Sequence, residues 1–149
     1  MSNTFSNLLF HTVFSTKERR RLLSKDFRSH LFRYISGKAD KNNFKTIKSG
    51  GTDDHIHVLL SLGPDLSVSK AVQLLKGNSS KWIHDNFPDL NLFSWQEGYG
   101  AFTVSKSQVG IIQKYITNQE EHHKKMSFEE EYVELLKKNQ IGFDSRYLF

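Results

Sequence analysis

Apolar and polar positions change rhythm several times along the chain, and each change marks an element. Leu8 to Phe14 (LLFHTVF) is a short apolar and β-branched run that reads as a strand, and KERRRLLSKD after it is a polar connection. From Ser24, an N-cap residue, Phe27, Leu31, Tyr34 and Ile35 recur at helical spacing and predict a helix to about Asp40. Phe44 to Ser49 reads as a second strand that Gly50-Gly51 should break. His55 to Leu62 (HIHVLLSL) alternates as a third, stopped by Gly63-Pro64 and paired hairpin-like with the second.

Ser67 can cap another helix, whose stripe of Val68, Ala71, Val72, Leu75, Trp82 and Ile83 is interrupted by the small polar stretch Gly77-Asn78-Ser79-Ser80 and ended by Asn86-Phe87-Pro88. Trp95 to Ser105 is aromatic and β-rich, and its glycines at 98 and 100 point to a bulge or a close backbone approach in a fourth strand. Ser105 with Gln108 fits a capping box opening a helix through Ile111, Ile112, Tyr115, Ile116 and Gln119. Ser127 with Glu130 fits a second box, for a last helix ending near Asn139.

The order β-α-β-β-α-β, then α-α, is an α+β arrangement. Its first six elements form the ferredoxin-like split βαβ, a four-stranded antiparallel sheet with two helices on one face, the other face being open or covered by the added helices. At 149 residues the chain suits a single domain, 1–149, with the ferredoxin-like core at 8–105, a helix at 106–124 and a C-terminal helix and tail at 127–149.

Composition narrows the class. Hydrophobic residues at 37% and charged residues at 25% describe a folded globular chain rather than a disordered one. No apolar run approaches the roughly 18 residues of a membrane span, and MSNTFSNLLF lacks the features of a signal peptide, which argues against export and membrane insertion. Without cysteine, any metal must be held by His, Asp, Glu, Asn or Gln. The net charge of +5 hides an asymmetry: residues 1–50 carry 11 Lys and Arg against 3 Asp and Glu, and the rest 10 against 13. Lys17, Arg19, Arg20, Arg21, Lys25 and Arg28 are bunched as a surface meeting a polyanion would have them, though a solvated face also accounts for such a cluster.

Within the third strand, His55 and His57 alternate onto one face while Ile56, Val58 and Leu60 take the other, which places two imidazoles to grip one ion. Chance alone supplies about 0.3 His-x-His pairs in a chain this rich in histidine, so two half-buried strand histidines fit the spacing equally. Asp53 and Asp54 could orient the imidazoles or merely finish the turn. Tyr115 and Gln119, four apart, share a helix face, and Tyr115 also fits a core aromatic with its hydroxyl at the rim. His122 and His123 read as a solvated helix end favoured by the dipole there.

The segments DHIHVLL, LLKGNSSKWI, WQEGYGAFTVS, YITNQEEHHKKMSFEEEY and the tail FDSRYLF, in this order over nearly the whole chain, closely resemble the single-tyrosine HUH transposases of the insertion-sequence 200/605 group. The resemblance implies a small homodimeric DNA strand-transferase of the prokaryotic cytoplasm that cuts and rejoins single-stranded DNA at hairpin-bearing transposon ends. It further implies Tyr115 as nucleophile forming a 5′-phosphotyrosine, and His55, His57 and Gln119 as ligands of Mg²⁺ or Mn²⁺. The HUH pair of one subunit would then face the tyrosine helix of the other. Two imidazoles and an amide oxygen suit either ion, Mn²⁺ fitting the nitrogens better. No Walker-type G-x-x-x-x-G-K-[ST] occurs, consistent with no nucleotide cofactor.

Two other classes share features with the chain. A replication initiator or relaxase has the same HUH core. A non-catalytic RNA-recognition module shares the βαββαβ order, and EGYGAFTV faintly resembles its RNP1 consensus, with Glu97 in place of the leading Lys or Arg and the glycine spacing off by one.

Overall fold

Alternation along the strands decides which residues reach which side of the sheet. In the computed structural model, which describes residues 3–148, the strands are β1 (Leu8–Ser15), β2 (Lys45–Gly51), β3 (His55–Leu62) and β4 (Gly100–Val104). They are antiparallel in the order β2-β3-β1-β4. Met1, Ser2 and Phe149, the last residue of the FDSRYLF tail, lie outside the described residues. The crossovers are α1 (Lys25–Lys41) and α2 (Val68–Asn86), which gives the ferredoxin-like arrangement.

Both crossover helices begin at the serines expected from sequence. Ser24 Oγ accepts the Phe27 N–H (3.4 Å) and Ser67 Oγ accepts the Lys70 N–H (3.1 Å), satisfying donors that the first turn leaves free. Ile56, Val58 and Leu60 of β3 pack against Phe27, Leu31 and Ile35 of α1 and Ala71, Val72, Leu75 and Ile83 of α2. Each such side chain contributes about 1.5–3 kcal/mol by leaving water. The small polar stretch does not interrupt α2: Ser79 is buried and accepts the indole N–H of Trp95 (3.0 Å), so it serves the core.

Glycines explain two departures from the sequence reading. β2 runs through Gly50 and Gly51 instead of stopping before them, because a Cβ at Gly50 would lie 2.2 Å from the Ile116 carbonyl oxygen. That position marks a close approach of helix to strand. The irregularity in the sheet lies between Thr46 and Lys48 in β2, not in β4. β4 starts at Gly100, where the missing side chain makes room for the Tyr132 ring, while Trp95 joins the sheet only through a bridge to Thr16.

The second face of the sheet is covered by α3 (Val109–Thr117), α4 (Gln119–His122) and α5 (Phe128–Lys138). The expected Ser105–Gln108 capping box does not form. Lys106–Gln108 is a 3-10 turn with no side-chain cap, and Asn118 divides the expected single helix into α3 and α4. The Ser127–Glu130 box does form, with reciprocal bonds of 3.1 and 3.2 Å. Phe102 of β4 is buried against Phe128, so the aromatic surface an RNA-recognition sheet would expose is covered.

Candidate active site

Four separate parts of the chain meet over the second face of the sheet. β3 supplies His55 and His57, both fully buried, on the face opposite Ile56 and Val58. β1 supplies His11, whose Nε2 lies 2.8 Å from His57 Nδ1. α3 and α4 bring Tyr115 and Gln119, and α5 brings Glu131, only 1% exposed.

Glu131 is the hub of the contacts. Its Oε2 accepts the Tyr115 hydroxyl and the Gln119 amide N–H (2.9 Å). Its Oε1 lies 3.0 Å from His123 Nε2, 3.1 Å from His57 Nε2 and 3.4 Å from His55 Nε2. Gln119 Oε1 lies 2.8 Å from His55 Nε2, so Gln119 touches both the HUH pair and the carboxylate. On the far side of its ring, His55 donates Nδ1–H to Asp54 Oδ1 (2.8 Å), which Thr52 also bonds (3.0 Å). Asp54 therefore orients an imidazole, whereas Asp53 contributes its carbonyl to the Leu23 N–H.

These surroundings set the charges. Burial opposes charge on His55, but the hydrogen bonds with Asp54 and Glu131 outweigh it and raise the ring to about 9. Burial dominates at His57, which falls to about 4, and at His11, which falls to about 3 with His57 adding to the effect. Burial likewise opposes the Glu131 carboxylate, yet hydrogen bonds from His123, His55 and His57 hold it well below the usual carboxylate range. Burial and the adjoining Glu131 carboxylate raise Tyr115 well above an ordinary phenol. The tyrosine is held protonated with its hydroxyl donated to Glu131, the carboxylate that the histidines surround.

Two residues depart from their expected roles. His123 is not a solvated helix end: its Nδ1 meets the Met126 carbonyl at 2.7 Å and its Nε2 faces Glu131. His122 is half-buried, its Nε2 3.5 Å from Glu131 Oε2 and without a hydrogen bond. Glu131 itself was missed, standing inside the run Glu129-Glu130-Glu131. The available signal was its place on the helical stripe of Phe128 and Leu135, where a carboxylate has no reason to be unless it meets a polar partner.

α3 folds back on its own sheet, Ile116 packing with Leu9, Leu59 and Val104, and the rings of Tyr115 and His57 lie 5.7 Å apart within one chain. Gly50 permits this approach, and the buried Ile116 rewards it.

The basic segment is placed beside the site but is not uniformly free. Arg28 is buried and bonds the Leu23 carbonyl (2.7 Å) and Glu120, so it fastens α1 to α4. Arg19 pairs with Glu129 (3.0 Å), Arg20 with Glu18 (3.6 Å) and Lys25 with Glu120 (3.9 Å). Lys17 and Arg21 are exposed. A cleft of about 630 Å³, lined by Arg19, Arg21, Lys124, Ser127, Asp54 and His123 among others, runs from this segment to the edge of the histidine cluster.

A buried cluster of imidazole and carboxylate groups of this kind could bind a metal ion: the donor atoms of His55, His57, His123 and Glu131 all lie within 4.8 Å of one another. Among the described residues, no helix is long and apolar enough to cross a membrane.

Residues 4–119 match the family model described as "Transposase IS200 like". The chain is 33% identical over 129 residues, 83% of its length and 84% of the relative's, to the transposase for insertion sequence element IS200 of Salmonella typhimurium strain LT2. It is 30% identical over 119 residues, 75% of its length and 84% of the relative's, to the ISDra2 transposase TnpA of Deinococcus radiodurans. Among solved structures it is similar to a candidate transposase from Deinococcus radiodurans (TM-score 0.67, 27% identity, 80% of this chain and 95% of that one). A REP-associated tyrosine transposase bound to a REP hairpin shares the fold (TM-score 0.54, 18% identity, 78% of this chain and 70% of that one). With the family model covering most of its length and its histidine, tyrosine and glutamine residues gathered at one buried site, the chain belongs to the IS200-like transposases.

Proposed function

We propose that this transposase, by its family a DNA-cutting and strand-joining enzyme, works on single-stranded DNA with hairpin ends through a covalent link to Tyr115. The observation that carries the reading is the meeting of Tyr115, Gln119, His55 and His57 at one buried point. A replication initiator or relaxase would share these groups, but the relatives matched over most of the chain are transposases.

Tyr115 attacks the scissile phosphorus through its phenol oxygen, giving up its proton, and the 3′ oxygen leaves and takes up a proton to become a free 3′-hydroxyl. The bond energy is stored as a 5′-phosphotyrosine that another 3′-hydroxyl can later attack. This reversibility makes a nucleotide triphosphate unnecessary. His55 and His57 present Nε2 atoms, and Gln119 an amide oxygen, as donors that fit a divalent ion. Such an ion, when bound, neutralises charge on the phosphate in the transition state. Asp54 and His11 hold the two imidazoles in place from behind. Exposed Lys17, and Arg21 at the edge of the cleft, are offered to the DNA backbone.

Incubating the protein with a single-stranded transposon end and a divalent ion, then denaturing it, tests the reading. A covalent adduct mapping to Tyr115, absent with Tyr115→Phe and in EDTA, is expected; an adduct at Tyr99 or Tyr132 defeats the assignment. The resemblance implies a homodimer in which the HUH pair of one subunit faces the tyrosine helix of the other. Verified heterodimers of His57→Ala and Tyr115→Phe subunits should then regain cleavage, and their failure to cleave would mean that each site draws on one chain.

A further inference from the structure

His123 and Glu131 lie beyond the segment that matches the family model, and the chemistry assigned above uses neither. Their placement is nevertheless that of ligands. Three imidazoles turn Nε2 toward one carboxylate oxygen, at 3.0 Å for His123, 3.1 Å for His57 and 3.4 Å for His55. Each ring is anchored on its other side through Nδ1: His55 to Asp54 Oδ1 (2.8 Å), His57 to His11 Nε2 (2.8 Å) and His123 to the Met126 carbonyl (2.7 Å). Proteins hold metal-binding imidazoles in this way, one nitrogen fixed from behind and the other left to the ion. An ion in this space would replace the protons that now separate nitrogen from oxygen.

We propose that Glu131 and His123 are metal ligands, joining His55, His57 and Gln119 in a centre of three imidazoles, one carboxylate and one amide oxygen that takes Mn²⁺ in preference to Mg²⁺. The proposal rests on the metal-dependent reading of the site given above and adds ligands and selectivity to it. Mg²⁺ favours oxygen donors, demands a near-octahedral shell and keeps several of its waters. A pocket in which His55 and His57 are fully buried and Glu131 is 1% exposed leaves little room for those waters. Imidazole nitrogens suit first-row transition ions far better than Mg²⁺. The second carboxylate oxygen, Oε2, holds the Tyr115 hydroxyl and the Gln119 amide. One side chain of α5 thus spans the ion and the nucleophile.

Titrating the metal-free full chain with Mn²⁺, and following unbound Mn²⁺ by electron paramagnetic resonance, tests this without reference to cleavage. Wild type should bind Mn²⁺, melt at a higher temperature with it, and keep it against a large excess of Mg²⁺. Glu131→Gln, which preserves shape, and His123→Ala should each weaken Mn²⁺ binding by about tenfold or more. Circular dichroism of both metal-free variants confirms that they fold. Binding by Glu131→Gln as tight as wild type, or tighter, would show that the carboxylate only fills the ion's place and would overturn the proposal. Displacement of Mn²⁺ by equimolar Mg²⁺ would overturn the selectivity. If wild type binds no Mn²⁺, the metal reading itself fails; if His57→Ala loses the ion while Glu131→Gln and His123→Ala keep it, the proposal fails alone.

Discussion

On one face of the sheet, Ile56, Val58 and Leu60 meet α1 and α2 in a continuous apolar core. On the other, His55 and His57 of the same strand meet Tyr115, Gln119 and Glu131. There the apolar packing is split into two small groups, Leu9, Leu59, Val104 and Ile116 on one side and Val13, Phe102, Phe128 and Leu136 on the other. The difference is one of what each face must satisfy. A hydrophobic face needs only volume, whereas every buried polar atom on the other needs a partner in the right direction. Stability should reside chiefly in the first face and chemistry in the second.

Tyr115→Phe should give the largest effect, complete loss of the covalent DNA adduct in a denaturing gel. Its metal-free stability should change by less than about 2 kcal/mol, since one hydroxyl leaves a Glu131 that Gln119 and the histidines still bond. A collapse of the fold in this variant would break the division between the faces. Leu31→Ala tests the converse: Leu31 is fully buried in the main core, and its truncation should lower the unfolding free energy in urea by about 2–5 kcal/mol while Mn²⁺ affinity holds. Parallel loss of stability and ion would mean the faces act as one.

A smaller effect should come from His11→Phe. The ring keeps its place between the strands but no longer anchors His57 Nδ1, so metal affinity should fall by about 10–100-fold. An unchanged affinity by calorimetry would leave His11 as filling alone. The smallest belongs to the periphery. Lys17→Gln and Arg21→Gln should each reduce the slope of log affinity against log salt for single-stranded DNA by about 0.7. An unchanged slope would return the segment to a solvated face.

The first face was the more legible in sequence, and the reason is physical. Apolar periodicity and serine caps are local signals, and they located α1, α2 and β3. Where partners are distant, local signals mislead. Gly50-Gly51 resembles a break because the α3 backbone that needs the glycine is more than 60 residues away. Ser105 and Gln108 have the spacing of a capping box, but the chain spends those residues in a 3-10 turn. His55, His57, Tyr115 and Gln119 were picked out by type, spacing and resemblance. His11, His123 and Glu131 were not, since each acquires meaning only through a neighbour on another element. Arg28 failed in the opposite direction: it follows a stretch of basic residues in sequence, but its neighbour in space is Glu120.

Gly50 has a consequence of its own. With the Ile116 carbonyl seated where any side chain would begin, residue 50 acts as a gauge block between sheet and helix, setting how far Tyr115 stands from the histidines. Even alanine there would lift the far end of a lever that carries the reacting oxygen, without touching a single group that does chemistry. Tolerance at the nucleophile is therefore machined by an atom the chain omits, and variants at this silent position would be read from sequence as harmless surface changes while leaving the enzyme out of alignment.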